Sequence, residues 1–178
     1  PIAFVSSKDA PGNVNLSPFS FFNVFGANPT LLIFSPARRV RDNTTKHTLQ
    51  NVYEHAEVVV NMVDFSMVEQ MSLASSPYSP EIDEFIKSGL TPIKSEKIKP
   101  FRVKESPIQL ECEVIEIKEL GDEGGAGNLI ICKILKFIYY SYLKTYFHKI
   151  HKLIKQMSFI SFDVWGILLV MSLVLLIK

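Results

Sequence analysis

Short runs of apolar residues, separated by turn-forming residues, recur along most of this chain. Residues 57–63 form a continuous valine-rich run, and residues 108–120 alternate apolar and polar positions with one slip near Ile115. Continuous β-branched runs are typical of buried strands, and alternation is typical of half-buried ones. Turn-forming residues at 9–13 predict a hairpin at the start of the chain. The predicted strands are residues 2–6, 14–22, 31–34, 57–63, 108–120 and 129–138.

Three other segments repeat their apolar residues at helical spacing. The first, residues 46–55, has Thr45 as its predicted N-cap; the second begins after a predicted Ser66 cap; the third ends at Gly89. Regular strand–helix alternation, which a parallel α/β fold needs, is missing. The pattern therefore predicts a mainly β fold, an antiparallel barrel with inserted helices.

Length and charge narrow the class of protein without identifying a ligand. A chain of 178 residues is long enough for one domain with a substantial core. Its net charge of +1 argues against a nucleic-acid partner, because groove-binding proteins carry a strong basic excess. The two cysteines, Cys112 and Cys132, lack metal-type spacing, so we expect buried, reduced thiols and a cytoplasmic location.

Positive charge is concentrated between the predicted strand 31–34 and the helix that follows it. This segment contains Arg38, Arg39, Arg41, Thr44, Thr45 and Lys46. Guanidinium groups fork to phosphate oxygens, and the backbone N–H groups at a helix start also favour an anion. A phosphate-binding loop is one interpretation and a solvated basic loop is the other. These residues alone leave both open.

Four phenylalanines are interleaved with polar residues in "LSPFSFFNVF": Phe19, Phe21, Phe22 and Phe25. Side chains of a strand alternate between its two faces, so only half of these rings can face one core. The others are expected to cover a partner subunit or a flat ligand. A planar ligand that carries phosphate, such as flavin mononucleotide (FMN), would use both the rings and the basic segment.

Other kinds of site are poorly supported. The chain has no GxGxxG motif followed by a helix, and "GDEGGAGN" lies between two predicted strands, which favours a hairpin turn. There is no GxSxG motif, and the four histidines lack zinc-type spacing. The acidic residues Glu81, Asp83 and Glu84 are interpreted as a solvated helix face. We therefore expect no catalytic side chain and no metal.

Long segments of the chain resemble one known family. They include residues 1–52, "EVVVNMVDFSMVEQMSLASSPY", "GLTPIKSEKIKPFRVKESPIQLECEV" and "GDEGGAGNLIICKI". They are similar to the flavin reductase-like, FMN-binding split-barrel family, which includes the flavoredoxins. The resemblance covers residues 1–136 and implies a six-stranded antiparallel Greek-key split barrel. It also implies a homodimer, with FMN near the subunit interface.

The resemblance assigns expected roles to particular residues. Ser17, Phe19 and Ser20 are expected near the flavin ring and ribityl chain. The backbone of Phe34 and Ser35 is expected to face the isoalloxazine. The phosphate is expected at Arg39, Thr44, Thr45 and Lys46, with Asn51 as a further contact.

The resemblance also implies an activity. Members of the family use NADH or NADPH to reduce flavin, and the cofactors carry the chemistry while the protein orients them. Two alternatives stay open: an FMN-carrying electron-transfer protein without nicotinamide turnover, and a defective or membrane-tethered remnant of the family.

The resemblance ends before residues 137–178, which are first basic and then almost purely apolar. One interpretation is a C-terminal membrane anchor, although Asp163 interrupts the apolar run. The other is a reading-frame shift, because a shifted frame through "FDVWGILLV" can encode a Tyr-Gly-Gly-Tyr-Tyr-Trp-like string of the kind the family has there. We favour the frame shift.

Overall fold

The computed structural model describes residues 1–140. Nearly all of the segment interpreted as a membrane anchor or frame-shift product lies outside these residues. Within residues 1–140, no helix is both long enough and apolar enough to cross a membrane. Strand β9 (Asn128–Tyr139) runs past residue 136, where the expected domain ends.

Strands dominate the described residues. The other strands are β1 (Ala3–Lys8), β2 (Val14–Phe19), β3 (Phe22–Ala27), β4 (Thr30–Phe34), β5 (Glu57–Met62), β6 (Pro92–Ile93), β7 (Arg102–Val103) and β8 (Ile108–Glu119). The helices are α1 (His47–Glu54), α2 (Val68–Ala74) and α3 (Glu84–Ser88), and a 3₁₀ helix, Phe65–Met67, precedes α2.

Seven strands form one antiparallel sheet in the order β2-β1-β5-β8-β9-β4-β3, and β6 pairs with β7 in a separate ribbon. The predicted mainly β, antiparallel fold is confirmed, but the main sheet has one strand more than the six expected. The extra strand arises because the predicted return strand, residues 14–22, is divided. Strand β1 begins at Ala3, which pairs with Phe19, so β2 has no backbone partner beyond that residue. The chain then turns, and Phe22 pairs with Phe34 of β4 instead.

The predicted turn at residues 9–13 is confirmed. The Asp9 carboxylate accepts hydrogen bonds from the backbone N–H groups of Gly12 (2.8 Å) and Asn13 (2.6 Å). Gly12 has a φ of 100°, which a residue with a side chain rarely adopts. The turn chemistry therefore closes the β1–β2 hairpin as its sequence indicates.

Two predicted helix caps are wrong and one helix end is confirmed. Helix α1 has Lys46, not Thr45, at its N-cap, without a side-chain cap bond. Before α2, Asp64 rather than Ser66 caps the 3₁₀ helix, because its carboxylate accepts from the Ser66 N–H. Gly89 does end α3, in the left-handed conformation with a φ of 69°. At α1 no side chain caps the helix, so its start has no local signal, whereas before α2 the Asp64 carboxylate provides the cap two residues earlier than expected.

The two longest strands pair with each other across the glycine-rich turn. The register shifts between Val114 and Glu116, which confirms the slip expected near Ile115. The hairpin prediction for "GDEGGAGN" is also confirmed, since these residues connect β8 to β9.

Apolar side chains from distant parts of the described residues fill the main core. Phe34, Val58, Val60 and Ile130 are fully buried there. Cys112 and Cys132 are fully buried too, and burial raises the pKa of both thiols. The buried thiols expected from the sequence are thus confirmed.

Candidate functional site

The basic loop, residues 35–46, leaves the end of β4 and leads into α1. At its start, the Ser35 N–H donates to the Phe21 carbonyl (2.9 Å), where the chain turns from β2 into β3. The Asn128 side chain donates to the Pro36 carbonyl (2.7 Å). The start of the loop is therefore held by the turn before β3 and by the first residue of β9.

Arg39 organises the interior of the loop. Its backbone N–H donates to the Thr44 carbonyl and its carbonyl accepts from the Asn43 N–H, both at 2.8 Å. Its guanidinium donates to the Thr44 hydroxyl (3.1 Å) and to the Thr45 carbonyl. Asn43 takes a positive φ of 56°, which asparagine tolerates better than most residues. The loop is thus a closed, internally bonded turn rather than an extended basic segment.

The carboxylate of Asp42 is already engaged within the loop. It accepts hydrogen bonds from the Thr44 hydroxyl (2.6 Å) and N–H (3.1 Å), and it pairs with Arg41 (2.9 Å). The Thr44 hydrogen bond and then the Arg41 bond lower the pKa of Asp42 to about 2. Asp42 therefore neutralises Arg41 and leaves Arg39 without an acidic partner among residues 1–140.

The glycine-rich turn between β8 and β9 supports the basic loop. Arg38 exchanges backbone hydrogen bonds with Ala126 (2.8 Å) and Gly125 (3.0 Å). A Cβ at Gly124 would lie 3.1 Å from the Val40 Cα, and one at Gly127 would lie 2.9 Å from the Ser35 hydroxyl. Gly124 thus allows close approach of the Val40 backbone, and Gly127 allows close approach of the Ser35 side chain. The sequence identified the hairpin but did not indicate that its glycines pack against the loop.

A groove of about 360 Å³, here called the basic groove, opens beside this loop. Its lining includes Ser17, Arg39, Lys46, His47, Tyr78 and Glu84. Burial lowers the pKa of Lys46, and the charge of Arg39 lowers it further. The same two effects lower the pKa of His47, against an opposing effect of Glu81. Arg39 and Lys46 therefore repel each other, and an anion in the groove would relieve that repulsion.

Several of the expected site residues lie together here. Ser17, Arg39 and Lys46 line the groove. Thr44 and Thr45 accept hydrogen bonds from Arg39 and so position its guanidinium. The Lys46 ammonium lies 5.5 Å from the centre of the Phe19 ring.

Other expected residues lie apart from the groove. Phe34 is fully buried, its ring 5.4 Å from the largely buried Phe19, and its backbone lies between Phe22 of β3 and Ile130 of β9. Asn51 is buried and its amide donates to the Ser7 hydroxyl (3.0 Å), which joins α1 to β1. Among the groove's lining residues, neither Ser20 nor Ser35 appears.

Glu84 was missed as part of the site, because the acidic residues 81–84 were interpreted as a solvated helix face. Glu84 is only 5% exposed, and its carboxylate accepts from the Asn15 side chain (2.9 Å) and the Leu16 N–H (3.2 Å). Thr48 in turn donates to the Asn15 amide oxygen (2.6 Å). Burial raises the pKa of Glu84 despite these hydrogen bonds. The network joins α1, β2 and α3 below the groove, and no local sequence signal marks it.

The four phenylalanines divide into a buried pair and an exposed pair. Phe19 and Phe22 are buried, whereas Phe21 and Phe25 are 67% and 66% exposed. Phe21 lies in the turn that precedes the edge strand β3, and Phe25 lies within that strand. What covers these two rings stays a prediction.

Comparisons with known sequences identify a family. The family model described as flavin reductase like domain matches residues 1–149. An uncharacterized protein of Aquifex aeolicus is 42% identical over 114 residues, covering 64% of this chain and 58% of the relative. The uncharacterized protein BH2278 of Halalkalibacterium halodurans is 40% identical over 139 residues, covering 77% and 66%. The matched region is thus less than two thirds of either relative's length.

Solved structures agree with the fold. Nitrilotriacetate monooxygenase component B from Bacillus cereus superposes with a TM-score of 0.75 at 34% identity, covering 80% of this chain and 71% of that one. A split-barrel-domain protein from Shewanella frigidimarina gives 0.68 at 27% identity, covering 79% and 68%. Flavoredoxin of Desulfovibrio vulgaris gives 0.68 at 17% identity, which supports the fold alone. The resemblance stated from the sequence is confirmed: the chain belongs to the flavin reductase-like domain family and has its split-barrel fold.

Proposed function

We propose that this protein binds FMN and transfers a hydride from NADH or NADPH to flavin. The observation that carries the proposal is the pair Arg39 and Lys46, which line one groove and have no acidic partner among residues 1–140. Membership of the flavin reductase-like family supports flavin as the ligand class. FMN in particular is favoured because riboflavin has no phosphate for these cations to bind.

The donor groups of the groove fit a phosphate. Arg39 presents a planar guanidinium held by Thr44 and Thr45, and Lys46 adds a point charge at the start of α1. Charged donors bind phosphate oxygens more strongly than neutral ones do. The hydroxyl of Ser17 offers a neutral donor on the same wall. We propose that Arg39 and Lys46 hold the phosphate and that Ser17 lies nearer the ribityl chain.

The protein's contribution to the reaction is orientation. Bound flavin supplies the hydride acceptor, and the nicotinamide supplies the hydride. The basic loop fixes one end of the flavin because its own hydrogen bonds and the glycine-rich turn hold it rigid. No acid or base from the chain is assigned to the chemical step.

A homodimer is part of the proposal. Phe25 is exposed on the edge strand β3 and Phe21 is exposed in the turn before it, and exposed aromatic residues at a sheet edge favour contact with another surface. A second copy of the chain is the partner we propose, with the flavin near that interface. Sedimentation of the purified protein across a range of concentrations measures this directly, and a monomer at every concentration would contradict it.

The first test is the absorption spectrum of the purified protein mixed with FMN and freed of excess flavin. A retained flavin spectrum that bleaches without oxygen on addition of NADH or NADPH supports the reductase. A retained flavin that neither dinucleotide reduces contradicts it and favours an FMN electron carrier. A protein that retains no flavin contradicts FMN binding.

The second test distinguishes recognition of the FMN phosphate from recognition of the flavin ring. Lys46 makes no side-chain hydrogen bond among the described residues, so its replacement does not break the loop. Lys46→Ala should weaken FMN by about 10- to 100-fold, the effect of losing one charged contact, and leave riboflavin nearly unchanged. Lys118→Ala, an exposed lysine on β8, is the matched control. Equal loss of FMN and riboflavin would refute the phosphate role.

A further inference from the structure

A second pocket, of about 480 Å³, lies toward the other end of helix α1. Here called the lysine pocket, it is lined by Lys8, Asp9, His55, Lys94, Lys99 and Phe101, among others. His55 is the C-cap of α1, whereas Lys46 of the basic groove is its N-cap. Eight helical residues separate the two ends by about 12 Å, so the pockets are distinct.

The lysines of this pocket carry charge that the described part of the chain does not neutralise. None of Lys8, Lys94 and Lys99 forms an ion pair within residues 1–140. The Lys8 ammonium lies 3.7 Å from the centre of the Phe101 ring, a cation–π contact that holds it at the pocket wall. Three lysines and one histidine therefore line the pocket, and none of the three lysines has an ion-pair partner among residues 1–140.

The carboxylates around the pocket bind backbone groups instead of these lysines. Asp9 accepts from the N–H groups of the β1–β2 turn, at 2.8 and 2.6 Å. Glu54 accepts from the Ala10 N–H (2.7 Å), and Glu57 accepts from the Lys99 N–H (2.9 Å). The acids thus fix the pocket's backbone and leave the ammonium groups available.

The segment that carries Lys94 and Lys99 is anchored from below. Glu111, fully buried, accepts from the N–H groups of Glu96 (2.9 Å) and Lys97 (2.7 Å), and Arg102 pairs with it at 3.4 Å. A preformed site loses less conformational entropy when a ligand binds. The lysine pocket therefore has the rigidity of a binding site as well as its charge.

We propose that the lysine pocket binds a diphosphate group, either as free pyrophosphate or as part of a nucleotide. A diphosphate carries several negative charges within a few ångströms, which matches three lysines better than a single carboxylate would. Ammonium groups bind phosphate as point charges, without the planar geometry that guanidinium imposes. The proposal does not depend on flavin binding in the basic groove.

The test is calorimetric titration of the full chain with pyrophosphate, ADP and adenosine, carried out in excess FMN so that the basic groove is already occupied. Pyrophosphate and ADP should bind, and adenosine should not. The double variant Lys94→Ala/Lys99→Ala should weaken pyrophosphate by at least about tenfold, because charged contacts are lost. Lys97→Ala, from the same segment but outside the pocket, should leave binding unchanged.

The variants also separate the two pockets. Lys46→Ala impairs only the basic groove and should leave pyrophosphate binding intact, whereas the double variant should leave FMN binding intact. Equal affinities for pyrophosphate and ADP assign the diphosphate alone, and tighter ADP binding assigns a nucleotide; both support the proposal. Absence of pyrophosphate binding, binding that the double variant retains, or equal loss in Lys97→Ala or Lys46→Ala would overturn it.

Discussion

Replacement of Glu84 by alanine removes the buried acceptor below the basic groove. The carboxylate accepts from the Asn15 amide and from the Leu16 N–H, and both donors belong to largely or fully buried residues. Alanine provides no acceptor for either donor. The Thr48–Asn15 hydrogen bond stays in place, so the damage is confined to these two donors.

The size of the effect follows from those two donors. A buried donor left without a partner costs about 1–3 kcal/mol, so two cost about 2–6 kcal/mol. Removing the carboxylate also removes the cost of burying its charge, so the net loss of folding stability is smaller. We expect the free energy of unfolding to fall by about 2–4 kcal/mol, which lowers the urea midpoint by about 1–2 M.

Urea unfolding followed by circular dichroism measures this difference. Glu81→Ala is the matched control, since Glu81 is an exposed glutamate three positions earlier whose carboxylate accepts from the Ser79 hydroxyl. It should leave the midpoint unchanged. If Glu84→Ala and Glu81→Ala gave the same midpoint, the buried network would not stabilise the fold as argued.

Two further predictions concern pH and the glycine-rich turn. Burial raises the pKa of Glu84 above its ordinary 4.5, so between that value and the raised pKa the folded state binds more protons than the unfolded state. Stability from this group is therefore present at low pH and lost as pH rises through the raised pKa. Urea midpoints measured at a series of pH values should show this decline in the wild type and not in Glu84→Gln; parallel pH profiles would contradict it. Gly124→Ala should cost about 1–3 kcal/mol through overcrowding, because its Cβ would lie 3.1 Å from the Val40 Cα and 3.2 Å from its carbonyl oxygen. It should also weaken FMN by displacing the loop that carries Arg39, and an unchanged urea midpoint would count against the packing argument.

The local sequence pattern was sufficient to predict most of the secondary-structure elements. The valine run of β5, the alternation of β8 and the turn at Asp9–Asn13 each follow from interactions within a few residues. The division of residues 14–22 into β2 and β3 could not be predicted from the local pattern. It depends on where the partner strand β1 begins, and this is a property of the assembled sheet.

The residues of the candidate site show the same contrast between what local sequence predicts and what depends on the assembled sheet. The cluster of arginine, threonine and lysine residues was visible because its members are close in sequence, and Arg39 does donate hydrogen bonds to both Thr44 and Thr45. The backbone of Phe34 and the side chain of Asn51 were expected at the ligand from resemblance, and both stay predictions. The Phe34 side chain packs in the main core, and the Asn51 amide donates to the Ser7 hydroxyl.

Sequence alone was sufficient for the strand-rich class, the basic loop and the expectation that half of the phenylalanines lie outside the core, and resemblance supplied the family. The first three features rest on side-chain periodicity and on contacts between near neighbours in the chain. Only the tertiary structure decided that Glu84 is buried beneath the groove, 69 positions from the Asn15 that binds it, and that glycines of the β8–β9 turn support the loop of Arg39. Such contacts join distant segments, and their burial and electrostatics exist only once the sheet has brought those segments together.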